Sequence, residues 1–225
     1  MSDRARGALL LAVACAPLIL LAEDAAPKPA TLDVVVERRD SGEWKAVDPH
    51  YVFASGDQIR FVFRSEVPGH LYVLNRPPSG ASEWIFPADH TDPDNLVAPG
   101  RSYRIPASGS FVISGPPGFD TTVWILSPEV LHVSAADLLP GQNRSFSTEQ
   151  NLIPRCGDTP LTARGPCTDD RAGASPFHER INLPKSQSLL ARDLNFSNDG
   201  ERTRITPADE STGGVIVYEF RIAHR

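Results

Sequence analysis

The sequence predicts an all-β protein, an antiparallel β-sandwich that is immunoglobulin-like in general architecture. Three observations support this prediction. Apolar residues alternate with polar ones over several short segments, which is the pattern of a half-buried strand. The 225 residues include 21 prolines and 16 glycines, and these separate the segments as turn residues do. Helical patterns are scarce, so two packed sheets are the simplest way to bury the apolar faces.

The first strands are predicted from alternation in the N-terminal half. Apolar residues recur at every second position over 32–36. The clearest alternation lies over 58–64, where Ile59, Phe61 and Phe63 form an apolar face opposite two arginines. Apolar or β-branched runs predict further strands over 71–74, 84–86, 103–105, 111–113 and 121–126.

The second half of the chain predicts a long irregular excursion before a last strand. Residues 134–139 have a helical pattern that ends at a Pro-Gly pair, and 186–192 predicts a short turn. The rest of 141–208 is polar and without clear period, which predicts an irregular segment that carries function or is partly disordered. Alternation resumes at 215–223, which we expect to return to the sheet as the closing strand.

Residues 1–22 predict a secretory signal peptide. Arg4 and Arg6 precede an apolar stretch over 7–21, and the small residue Ala22 precedes a polar flank. The apolar stretch is shorter than the about 20 residues that a membrane-spanning helix needs. We therefore expect export to the periplasm or the extracellular space, with cleavage after Ala22 and no transmembrane span in the mature chain.

Two alternatives remain open at the N-terminus. One is an uncleaved anchor formed by the same apolar stretch. The other is a lipid anchor on Cys15, because residues 11–15 loosely match a lipoprotein processing box. Apolar sequence continues well past Cys15, which favours the cleaved signal peptide.

The charge of the chain limits the classes of partner. The net charge is −6, and removal of Asp3, Arg4 and Arg6 with the signal peptide would change it to −7. An acidic surface argues against binding nucleic acid or an anionic membrane through charge. It favours a basic or neutral partner, such as a protein or another component of the cell envelope.

The two cysteines that follow the signal peptide predict a disulfide. Cys156 and Cys167 are flanked by turn residues, and an exported protein folds in an oxidising compartment. No further zinc ligands flank them, so a zinc site is disfavoured. Two free thiols are the remaining alternative.

Several short motifs occur in the order found in a known family. They lie at 53–57, 60–61, 69–75, 85–87, 103–106, 115–118 and 218–222. In these motifs the chain resembles the domain-of-unknown-function family 4384. Phe119 and Asp120 stand where the family pattern favours threonine and glutamate.

The resemblance implies an accessory β domain of a bacterial envelope protein. Some members are attached to peptidase-like or kinase-like domains, and the family has no established catalytic residues to transfer. We therefore expect a single domain over 31–225, with a family-like core at 51–130. Each matching motif also has a structural explanation, because glycine and proline are the residues that turns require.

No catalytic, cofactor or metal motif is present in the sequence. It lacks a Gly-x-Ser-x-Gly elbow, a His-Glu-x-x-His helix and a phosphate-binding glycine loop. The six histidines are scattered along the chain. We therefore expect a protein that is not an enzyme and needs no cofactor.

The candidate partner-binding residues are acidic or aromatic. Asp89, Asp92 and Asp94 lie in one loop, which could ligate calcium but lacks EF-hand spacing and a terminal glutamate. Trp44 and Trp84 are flanked by polar residues, so they are candidates for an exposed aromatic surface.

Three functions are consistent with these observations. The first is a non-catalytic interaction or accessory module of the cell envelope, which binds a protein or cell-wall partner. The second is a hydrolase with an unrecognised site in 141–208. The third is a purely structural envelope component.

Overall fold

The structure is a computed structural model that describes residues 30–76, 82–87, 95–132, 134, 138, 153–156, 166–178, 181–183, 193–208 and 214–225. The signal peptide and the Cys15 anchor lie outside the described residues. No helix among the described residues is long and apolar enough to cross a membrane.

Two β-sheets pack against each other, which confirms the predicted all-β sandwich. The strands of the first half are β1 (Leu32–Asp40), β2 (Glu43–Val47), β3 (Val52–Phe53), β4 (Gln58–Ser65), β5 (Gly69–Arg76), β6 (Glu83–Phe86) and β7 (Leu96–Val97). Those of the second half are β8 (Ser102–Ile105), β9 (Phe111–Val112), β10 (Gly118–Ser127), β11 (Gly173–Pro176), β12 (Leu194–Asp199), β13 (Arg202–Pro207) and β14 (Ile216–His224).

Each sheet mixes strands from both ends of the chain. The first sheet has the order β12-β13-β1-β4-β8, with β2 paired to β1 and β9 paired to β4. The second has the order β11-β14-β10-β5-β6, with β3 paired to β14 and β7 paired to β5. The pairings are antiparallel, except that β3 runs parallel to β14. The predicted closing strand is therefore confirmed as a central strand, β14, between β10 and β11.

The main core lies between the two sheets and is rich in aromatic side chains. Phe61 of the first sheet contacts Trp124 and Phe220 of the second edge to face, with ring centroids 5.2 and 5.7 Å apart. Trp124 stacks on Tyr218, and all four side chains are almost completely buried. Trp124 is thus a core residue, as its apolar run indicates.

A second apolar cluster covers the outer face of the second sheet. Leu74, Val123 and Ile125 lie on that face and pack with Leu131 and Leu183, which come from segments outside the two sheets. The outer face is therefore not a free surface. Its burial explains why the runs at 71–74 and 123–126 are apolar throughout, since a strand buried on both faces loses its alternation.

Among the described residues, three strands interrupt the irregular segment predicted over 141–208. β11, β12 and β13 lie within it, and β12 and β13 form a hairpin on the edge of the first sheet. The sequence is mostly polar here because an edge hairpin buries only one face. Phe196 and Ile205 face the core while their strand neighbours are mostly exposed.

The predicted helix over 134–139 lies mostly outside the described residues. Among those described, the Leu138 N–H donates to the Ser134 carbonyl, which is the bond of one helical turn. Leu138 is fully buried in the second cluster. The predicted turn over 186–192 lies outside the described residues.

The predicted disulfide is confirmed. Cys156 and Cys167 are bonded, with Cα atoms 4.8 Å apart. The Cys167 carbonyl accepts a hydrogen bond from the Val52 N–H, and Cys167 packs against a small cluster that includes Phe119 and Ala223. The disulfide thus closes a loop within the excursion, and the contacts of Cys167 place that loop against β3 and the end of β14.

Asp169 anchors the same corner through its buried carboxylate. The Arg171 guanidinium donates two hydrogen bonds to it, at 2.9 and 2.6 Å, and the backbone N–H groups of Arg155 and Arg171 donate two more. The hydrogen bonds from Arg171 are the main reason that the pKa of Asp169 is lowered, from 3.8 to about 2. The folded protein therefore stabilises the charged form of the Asp169 carboxylate.

This pairing predicts acid sensitivity. The Asp169 contribution to stability is complete above pH 3.8, the usual pKa, and is lost as the pH falls through about 2. We expect Asp169→Asn to lower the free energy of unfolding at pH 7 by about 2 kcal/mol, because Arg171 loses its anionic partner. Denaturant unfolding at pH 7 and pH 2.5 measures this.

The difference between wild type and Asp169→Asn should shrink at the lower pH. Asp170→Asn is the matched control, because Asp170 is the exposed neighbour in the same turn. An equal loss of stability for Asp169→Asn at both pH values would contradict the role of the charged carboxylate.

Candidate functional site

A cleft of about 590 Å³ opens at one end of the sandwich, between the two sheets. It lies where β9 of the first sheet faces β6 and the start of β10 in the second. Its volume is within the range of small-ligand pockets, which is about 300–1,000 Å³. The cleft is therefore large enough to take up a ligand or a side chain.

One wall of the cleft is polar although it belongs to the core-facing side of a sheet. Strand alternation places Asn75, Thr122 and Asp120 on the same face as the buried Trp124. Glu83 pairs with Asn75 across β5 and β6 and so joins this face. Glu83, Asn75 and Thr122 thus form one row across three neighbouring strands.

Asp120 and His224 form a pair at the end of this wall. The His224 Nε2 lies 3.4 Å from the Asp120 Oδ2. The His224 side chain is only 4% exposed, whereas that of Asp120 is 36% exposed. Asp120 therefore has one side held by the histidine and another side open to the cleft.

Thr122 is already satisfied by the core. Its hydroxyl donates to the Phe220 carbonyl at 3.1 Å and accepts from the Trp124 Nε1 at 2.8 Å. This hydroxyl fixes the position of the Trp124 ring beneath the cleft. On this wall, the polar groups that can meet a ligand therefore include those of Asn75, Glu83 and Asp120.

The opposite wall is apolar and is contributed by the first sheet. It includes Ile59, Phe61 and Phe111, and the ring centroids of Phe61 and Phe111 lie 6.4 Å apart. Phe111 is half-buried, so its ring is partly accessible. Val112 beside it is 57% exposed. An occupant of the cleft would thus meet carbon on one side and carboxylates on the other.

The Gly-Pro-Pro-Gly loop at 115–118 forms part of the rim of the cleft. Gly115 has a φ of 97°, a conformation that side-chain-bearing residues rarely adopt, and Pro116 and Pro117 fix the following backbone. The loop leads directly into Gly118 and Phe119 at the start of β10. The turn residues at 115–118 thus shape the rim of the cleft.

The lining of the cleft is acidic. In the described part of the chain, its lining includes the carboxylates of Glu83 and Asp120 and no lysine or arginine. Among the described residues there is no group of three or more histidine, cysteine or acidic side chains that could hold a metal ion. The electrostatics of the cleft therefore favour a cationic group.

The cleft has one feature of a catalytic site, the Asp120–His224 pair. A serine hydrolase needs a nucleophilic hydroxyl bonded to the histidine. In the described part of the chain His224 is paired with Asp120 and with no serine or threonine hydroxyl. Ser114 lines the cleft but is not bonded to His224.

The structure places the two candidate tryptophans apart and leaves both half-buried. Trp44 lies on the outer face of the first sheet, where the Arg60 guanidinium covers its ring at 4.2 Å from the centroid. Trp84 packs against Tyr72, with ring centroids 5.5 Å apart, on the outer side of the second sheet. They do not form one aromatic surface, and the binding role of each stays a prediction.

Asp89, Asp92 and Asp94 lie outside the described residues. Their role in partner binding, and the calcium alternative, stay predictions from the sequence.

Sequence reasoning missed the polar residues of the cleft. One signal was available for His224, which continues the apolar face of Tyr218, Phe220 and Ile222 at the next alternate position. A polar residue on a core-facing row indicates a place where the core opens. Glu83 and Asp120 gave no such signal, because their proximity depends on how β5, β6 and β10 pair.

Comparison with known proteins supports the resemblance seen in the sequence motifs. The family model described as "Domain of unknown function (DUF4384)" matches residues 52–129. This confirms the family resemblance. No match was found among curated proteins or among solved structures.

The DUF4384 match contains most of the cleft. Of the 18 lining residues, all but Ile222 and His224 fall within the matched range of 52–129. The two exceptions come from β14, which completes the wall beside β10. The cleft is thus built mainly by the segment that the family model matches, and β14 completes it.

Proposed function

We propose that the protein is an exported, non-catalytic interaction module of the bacterial cell envelope, and that it takes up part of its partner in the end cleft. The observation that carries this proposal is the cleft itself. It has a ligand-sized volume between an apolar wall and a carboxylate-bearing wall. Loops and edges on a rigid β scaffold commonly carry recognition.

Export is supported by the N-terminal sequence and by the disulfide. Disulfides persist in oxidising compartments such as the periplasm. We expect the exported protein to begin at Glu23, because Ala22 ends the predicted signal peptide. Intact mass of the protein purified from its native envelope measures this. A mature terminus at a lipid-modified Cys15 would contradict cleavage after Ala22.

Filling the cleft should abolish partner binding without unfolding the protein. Ser114 lines the cleft and is exposed, so Ser114→Trp places an indole in the opening and leaves the core intact. Ala46→Trp is the matched control, on an exposed position of β2 away from the cleft. We expect Ser114→Trp to lose capture of the native partner from envelope extract.

The free energy of unfolding of both variants should lie within about 1 kcal/mol of the wild-type value, because surface substitutions usually have small effects on stability. Equal capture of the same proteins by Ser114→Trp and Ala46→Trp would show that the cleft is not the binding site. The alternative acidic surface at Asp89, Asp92 and Asp94 would then be tested by replacing all three with asparagine.

The Asp120–His224 pair keeps a hydrolase as the second candidate. An enzyme of this kind would use His224 as a general base for water, with Asp120 orienting its ring. Hydrolysis of an ester, peptide or glycan panel that is lost in His224→Gln would favour that candidate over binding.

A further inference from the structure

We infer that the cleft recognises a lysine or arginine side chain of a partner protein, presented on an extended segment. This inference rests on the proposed function, because it names the chemistry that the cleft binds. Three features support it: the charge of the lining, the apolar opposite wall and the strand edges beside the opening.

The charge of the lining selects a cation. Asp120 is held by His224 on one side and remains 36% exposed, and Glu83 is exposed at the end of the same polar wall. Among the described residues, no lysine or arginine lines the cleft to neutralise them. A cationic head group from outside would therefore gain charge-assisted hydrogen bonds, with the Asn75 carbonyl as a further acceptor.

The opposite wall matches the stem of such a side chain. Lysine and arginine bury their methylene groups along apolar surface and keep the charged head in polar surroundings. Ile59 and Phe111 offer that apolar surface across from the carboxylates. An acidic or a purely apolar side chain would satisfy only one of the two walls.

The edges of both sheets lie beside the opening. In the described part of the structure β9 pairs only with β4, and β6 pairs only with β5. Residues of both strands line the cleft. An extended segment can pair its backbone with such an edge and insert alternate side chains into a neighbouring pocket. This geometry favours a peptide segment over a small free amine.

A matched peptide series tests the inference. The probe is a seven-residue peptide, acetylated and amidated, that alternates threonine and valine around one central position. That position holds lysine, arginine, norleucine or glutamate, and binding is measured by titration calorimetry. We expect lysine and arginine to bind at least about tenfold more tightly than norleucine, as one charge-assisted hydrogen bond gives.

Two double variants assign the preference to the cleft. Glu83→Gln with Asp120→Asn should remove the preference for lysine over norleucine. Glu43→Gln with Glu201→Gln removes two exposed carboxylates elsewhere and should keep it. Circular dichroism melts establish that each variant is folded.

The possible results separate the inference from the proposed function. Equal binding of the lysine and norleucine peptides would overturn recognition of a cation. If Ser114→Trp then failed to bind either peptide, the cleft would still be supported as the binding site. An unchanged lysine preference in the cleft double variant would also overturn the inference. No binding of any peptide at millimolar concentration would overturn it, and the capture experiment would then decide the proposed function alone.

Discussion

A chain that ends before Gly214 should not fold. This truncation removes β14, which pairs with β10 over nine residues and also with β3 and β11. It also removes four large side chains from the main core: Ile216, Tyr218, Phe220 and Ile222. At about 1.5–3 kcal/mol each, their burial is worth about 6–12 kcal/mol, which is comparable with the whole stability of a domain.

The measurement is thermal unfolding followed by near-ultraviolet circular dichroism. The truncated chain should show no cooperative transition. Removal of Arg225 alone is the matched control, because that residue lies exposed after the end of β14. A cooperative melt of the truncated chain, close to that of the control, would show that β14 is peripheral.

Phe220→Ala should be among the most destabilising single substitutions in the protein. Phe220 is fully buried and meets Phe61 edge to face across the two sheets. Its truncation leaves a cavity at the centre of the core, and such changes cost about 3–5 kcal/mol. Denaturant unfolding gives the free energy of unfolding directly.

Tyr218→Phe is the control on the same face of β14. The Tyr218 hydroxyl is buried and has no hydrogen-bond partner among the described residues, and burial raises its pKa well above 10. Removing it should change stability by less than about 1 kcal/mol or increase it, because no bond is lost. If Phe220→Ala lowered the free energy of unfolding no more than Tyr218→Phe does, the central position of the Phe220 ring would be contradicted.

The two-sheet fold follows from local patterns in the sequence. Ile59, Phe61 and Phe63 alternate strictly, and the structure buries all three on the core face of β4. The closing strand was also predictable, with bounds within one residue. In both cases a strand with one apolar face has one stable way to lie on a core.

The edge hairpin was not predictable in the same way. Leu194, Phe196 and Ile205 give β12 and β13 an apolar inner face, and the exposed positions of both strands are polar like those of a loop. Turns and polar edge strands have similar amino-acid compositions. The edge hairpin differs from a loop in that β13 pairs its backbone with β1, which lies more than 150 residues away in the sequence.

The cleft depends even more on long-range pairing. Glu83, Asp120 and His224 come from three strands, and each by itself is an ordinary polar residue at a strand end. They share one wall only because β6, β5, β10 and β14 lie side by side in this order. The sequence predicted a loop at 115–118, but its position at the rim required the sheet topology.

Backbone amide shifts in nuclear magnetic resonance test most directly whether a partner segment binds in the cleft. The isotope-labelled protein is titrated with the lysine-centred peptide. We expect shifts concentrated at Asn75, Glu83 and Asp120, along 111–115 and at Gly118, with none at Trp44 on the far face of the first sheet. Shifts spread over the outer face of the first sheet, with the cleft residues unchanged, would contradict binding in the cleft.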